Sequence, residues 1–146
     1  MVCYPATMIG RPDCSDAADS LAVPASLALQ LDAGALETLF ELFDGDPEAM
    51  RNLVQTYLTS SQQLCDEMRS GSAINDMIVI NRAAHTLKSS SAIFGASKLA
   101  QHCRELEAAA AREDRVTAVD MVTTTLSAYR EARAAIAAIA GLPPER

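Results

Sequence analysis

Histidine is scarce in this chain, with two in 146 residues, and one of them stands in chemically suggestive company. His85 has Arg82 three residues before it and Lys88 three residues after it, with Ser89 at i+4 and Ala92 one turn further. On a helix these positions crowd around one face. Imidazole is in large part a neutral nucleophile near pH 7. Cations beside it favour an anionic visitor, either a phosphoryl group or an acidic partner surface. The short side chains of Ser89 and Ala92 leave that visitor room to approach. Charge points the same way. Between Met77 and Arg104 there is no Asp or Glu, while Arg82, Lys88, Lys98 and Arg104 fall inside the span. A chain of net charge −7 thus keeps one positive window, and it surrounds His85.

Helical periodicity decides which way the ring points. With Leu87 as the reference direction, Ile80, Ala84, Ser91 and Phe94 fall within about 60° and define a buried stripe. His85 lies about 160° away, toward solvent. Ile74 and Ile78 fall on the same outward stripe as His85. Two readings of these isoleucines stay open: apolar docking area beside the imidazole, or burial beneath the first helix or the N-terminal segment.

The elements that must position His85 follow from composition and punctuation. Hydrophobic residues at 49% support a buried core, while 4% aromatics and no Trp favour helices over sheets. The acidic balance argues against a nucleic-acid binder, and no apolar run is long enough to span a bilayer. No secretory signal is evident, so a soluble, cytoplasmic, all-α domain is expected. Residues 1–30 carry no sustained helical period and read as a tail or linker, with a short helical piece near Leu27 to Leu31. Gly45, Gly71, Gly95 and Gly141 each close a periodic segment. The reading is a first helix from Asp32 to Phe43 and a second, capped by Asp46 with Pro47 behind it, running to Gly71. A third is capped by Ser72, a fourth spans Ser97 to Ala111, and a last one starts near Thr117 with Asp120 as a box-like partner. Short connections make neighbours antiparallel. The predicted architecture is an antiparallel up-down-up-down four-helix bundle with an additional N-terminal helix, occupying residues 31–142 and followed by a tail at 143–146.

Other chemically capable residues carry less. His102 sits about 60° off the inner stripe of the fourth helix and reads as a boundary residue. No third ligand accompanies the two histidines, so no metal site is expected. Cys65 and Cys103 fall on apolar stripes as small hydrophobes, and nothing pairs Cys3 with Cys14. The run Ser89–Ser91 has no base or orienting acid at recognisable spacing. There is no Walker loop and no G-x-G-x-x-G, so phosphorylation from ATP by this chain alone is not expected.

The string AHTLKSSSAIFGASKLAQHCRELEAAA, Ala84 to Ala110, resembles the histidine-containing phosphotransfer (HPt) domain family. His85, Leu87, Lys88 and Gly95 match its H-x-L-K-G-x-x-x-x-x-G-like motif. Leu99, Cys103, Leu106 and Glu107 look like family usage in the next helix, and weaker likeness extends back over Leu31 to Met68. The glycine that follows the lysine in the motif is Ser89 here, which adds a hydroxymethyl group where a partner approaches.

The resemblance implies a phosphoryl carrier without autonomous kinase activity. The outward imidazole nitrogen of His85 takes the phosphoryl group from an aspartyl phosphate on one receiver domain and passes it to the aspartate of another. Lys88 would offset charge on the phosphoryl oxygens, with Arg82 as a helper. Ser89 would permit close approach and offer a hydrogen bond. Ile74, Ile78, Ala92, Gly95 and Lys98 would dock the partner. The implied partners are receiver domains of response regulators and of a hybrid histidine kinase, whose C-terminal module this chain could equally be. The chain needs no cofactor of its own, the Mg²⁺ belonging to the receiver, and is expected to be a monomer. The rival readings are a helical adaptor that binds a receiver or kinase without being phosphorylated, and a bundle used only for oligomerisation.

Overall fold

The computed structural model describes residues 31–141. Among them are five helices and no strand: α1 (Ala33–Leu42), α2 (Pro47–Ala73), α3 (Met77–Ile93), α4 (Ser97–Ala111) and α5 (Arg115–Ile139). Aspartate starts four of the five. Asp32 accepts from Gly34 N, Asp46 from Glu48 N and Ala49 N, Asp76 from Ile78 N and Val79 N, and Asp114 from Thr117 N. Each cap satisfies amide donors that the first helical turn leaves unpaired.

Connections of three residues fold α2 to α5 back on one another as antiparallel neighbours. α3 packs between α2 and α4, and α5 packs on both α4 and α2, closing a four-helix ring. α1 is the additional helix and lies mainly against α3. The core comes from one stripe of each member, including Val54 and Met68 of α2, Ile80 and Leu87 of α3, Leu106 of α4 and Ile136 of α5. Two hydroxyl pairs cross it. Tyr57 Oη meets Ser91 Oγ at 2.9 Å, and Tyr129 Oη meets Ser61 Oγ at 2.9 Å. Such pairing makes buried hydroxyls tolerable between long apolar helices. No helix among the described residues is long and apolar enough to cross a membrane.

Two boundaries differ from the periodicity reading. Gly71 and Ser72 do not end α2 and start α3; both lie within α2, which runs to Ala73. Asn75 instead takes the left-handed turn position at φ 57°, and Asp76 caps α3. Asn tolerates that conformation, so glycine is not required there. Gly71 serves packing: a Cβ on it would lie 3.1 Å from both Ile80 Cγ1 and Val79 Cγ1. Ile74 therefore belongs to the C-cap of α2 and not to the outward stripe of α3. Similarly, α5 starts at Arg115 under an Asp114 cap, with Asp120 exposed in its second turn. The helical piece expected near Leu27 to Leu31 lies outside the described residues except for Leu31, which is buried.

Candidate functional site

His85 is the ninth of the seventeen residues of α3. Its neighbours Ala83, Ala84 and Leu87 are fully buried, which fixes the rotation of the helix about its axis. The consequence is an imidazole whose side chain is 61% exposed. Ile80, Ala84, Leu87, Ser91 and Phe94 all face inward, as the 3.6-residue period requires.

The ring is not left to rotate. His85 Nδ1 lies 2.7 Å from Glu107 Oε1, and Lys88 Nζ donates to Glu107 Oε2 at 2.6 Å. The Lys88 hydrogen bond holds the Glu107 carboxyl below its ordinary 4.5, against partial desolvation and with help from the His85 bond. An ionised carboxylate only accepts, so the Nδ1 facing it carries the proton. That choice of tautomer leaves the lone pair on Nε2, on the open side of the ring. Asn81 fixes the opposing strut: its Nδ2 donates 2.9 Å to the backbone carbonyl of Glu107, one turn before His85 on α3.

Periodicity within a single helix does not give Glu107 and Asn81 these roles. A signal for Glu107 was nevertheless there. Residues 85 and 107 stand eleven places on either side of 96, in the turn that joins α3 to α4. In an antiparallel helix pair, positions equidistant from the turn meet.

Ser89 is exposed above His85, its Oγ donating to the His85 carbonyl at 3.3 Å. Arg82 is exposed and reaches back to Glu67 of α2 at 3.1 Å. Lys98 pairs with Glu131 of α5 at 3.2 Å, and Arg104 donates to Gln101. The positive window of the sequence is therefore not an open cationic face. Carboxylates from α2, α4 and α5 meet three of its four charges, because the fold brings residues from outside the window onto it. Ile74 and Ile78 are exposed at 72% and 74%, so neither α1 nor any other described segment covers them. Ile78 stands seven residues before His85 on the same face and borders a cleft of about 250 Å³ with Met77, Asn81, Ala110, Ala111 and Glu113. Ala92 is exposed seven residues beyond His85. Gly95 is buried: its carbonyl accepts from Asp32 N at 2.7 Å, which removes it from any docking face. Its part is to hold the start of α1. His102 is half-buried, as a boundary residue, and Cys65 and Cys103 are free and buried.

This geometry can be set beside known proteins. Residues 52–140 match the model of the Hpt domain. The fold is similar to the crystal structure of histidine-containing phosphotransfer protein B (HptB) from Pseudomonas aeruginosa PAO1, with a TM-score of 0.68 and 23% sequence identity over 73% of this chain and 90% of that one. A comparison with curated proteins gives no match. The domain match spans α3 and α4 entire, the two helices that hold His85 against Glu107, and on that match the chain belongs to the Hpt domain family.

Proposed function

We propose that His85 is the phosphoryl acceptor and donor of this phosphotransfer protein. Hpt domains are phosphocarrier modules of phosphorelays and work with receiver domains of response regulators. The observation that carries the assignment is the locked ring: Nδ1 is held by Glu107 while the Nε2 side stands open in the middle of α3. Nε2 attacks the phosphorus of a receiver's aspartyl phosphate, the acyl P–O bond breaks, and the aspartate leaves as a carboxylate. The reverse step delivers the group to a second receiver. Lys88 shares the Glu107 carboxylate with the ring and offsets phosphoryl charge, with Arg82 as a helper. Ser89 sets how close the receiver comes. Ile74, Ile78, Ala92 and Lys98 form the docking surface, the isoleucines supplying its apolar part. The receiver brings the Mg²⁺ and the acidic pocket. The chain works in the cytoplasm as a monomer, either free-standing or as the C-terminal module of a hybrid histidine kinase.

Incubation with a phosphorylated receiver tests this reading. The parent gains an acid-labile, alkali-stable phosphate, and His85→Gln gains none while keeping its helicity. A parent that binds the receiver and stays unlabelled is an adaptor, and the assignment falls.

A further inference from the structure

One carboxylate holds both working groups of the site. Glu107 Oε1 takes the Nδ1 proton of His85 and Oε2 takes the ammonium of Lys88. A single negative charge is thus divided between the ring N–H and a cation. Phosphorylation changes both demands. The neutral, Nδ1-protonated imidazole forms the Nε2–P bond, and the donor's P–O bond breaks with its electron pair. Nδ1 keeps its proton, so the ring becomes an imidazolium beside a phosphoryl dianion. The dianion then competes with Glu107 for Lys88, while the positive ring draws more strongly on the carboxylate.

Resting on the carrier reading above, we propose that Lys88 is exchanged from Glu107 to the phosphoryl group, and that the released Glu107 holds phosphorylated His85 in its protonated form. Protonated phosphoimidazole has a neutral imidazole as its leaving group, so it gives up phosphorus readily to an acceptor aspartate or to water. Glu107 therefore sets transfer readiness and lifetime together, acting as a positioning residue through the ring.

The surroundings leave Glu107 in charge of this proton. On α3, Arg82 is drawn off to Glu67 of α2. On α4, Arg104 is held by Gln101, and the buried Cys103 thiol is pushed up to about 12 by desolvation and stays neutral. On α5, Glu131 is taken by Lys98. Among the described residues nothing but His85 and Lys88 bonds the Glu107 carboxylate.

The test uses the full chain loaded with phosphoramidate, a small phosphodonor to histidine, so that no receiver is needed. Ring ¹⁵N shifts followed against pH report where phosphorylated His85 loses its Nδ1 proton, and phosphate release reports its lifetime. Glu107→Gln retains a hydrogen-bond acceptor for Nδ1 and removes the charge. Its ring midpoint is expected to fall by about one pH unit, with a phosphohistidine several-fold longer-lived near neutral pH. The Lys88 Nζ resonance of the parent is expected to move on phosphorylation. Equal midpoints and lifetimes in parent and Glu107→Gln, or an unmoved Lys88 resonance, would overturn the exchange. Failure of His85 to take phosphate at all would overturn the carrier assignment instead, and the exchange with it.

Discussion

Lys88 shows how much of a side chain's role is decided by its partner. It is only 25% exposed and lies against Glu107, so its ammonium is already positioned one turn from the imidazole. Lys88→Ala is expected to slow transfer from a phosphorylated receiver about tenfold or more with unchanged helicity; equal rates in a rapid-quench measurement would remove Lys88 from the mechanism. The same contact makes stability depend on acidity. The Glu107 carboxyl sits below its ordinary 4.5 in the folded chain, chiefly through Lys88. The folded state therefore binds that proton less readily than the unfolded one, and stability rises with pH in this range. The contribution is full above 4.5 and drains away as the pH falls through the lowered value. Urea denaturation of parent and Glu107→Gln should therefore differ most above the ordinary carboxylate value of 4.5 and converge as the pH falls through the lowered one. A gap that persisted at low pH would contradict this origin.

The helices differ in how openly the chain announces them. Those at Pro47 and Ser97 start where the sequence signals say, since Asp46 with Pro47 is a strong opening and Gly95 a strong stop. The start of α3 was misplaced because Asn75 does the work expected of a glycine and Gly71 is small for the sake of its neighbours. The exposure of His85 was legible, being a matter of period within one helix. Its lock was not, because the Glu107 contact joins two helices and appears only when the α3–α4 hairpin is registered about its turn. The paired state of Arg82 and Lys98 escaped for the same reason. Gly95 gives a test at this scale. It holds φ 74°, and a Cβ there would lie 2.8 Å from both the N and O of Asp32. Gly95→Ala is expected to destabilise the bundle by about 2 kcal/mol and to loosen α1 first, seen as faster proteolytic cleavage between α1 and α2. Cleavage at the parental rate would show that the clasp is dispensable.

Taken whole, the molecule keeps its reactive groups apart by burial. Cys65 and Cys103 lie inside the ring of helices, and desolvation pushes both thiols up to about 12. Thiolate is the reactive form, so neither should alkylate with iodoacetamide until the bundle opens, as peptide mapping before and after denaturation would show. Early labelling at either position would mean that the ring breathes on the timescale of the reagent. His85 is the opposite case, an imidazole carried on the outside of the bundle, with Nδ1 tied to Glu107 and most of the side chain exposed. A column that offers one doorway can admit only one visitor. On the proposed carrier role giver and taker must queue, a double displacement in which a surplus of empty taker is expected to inhibit loading competitively.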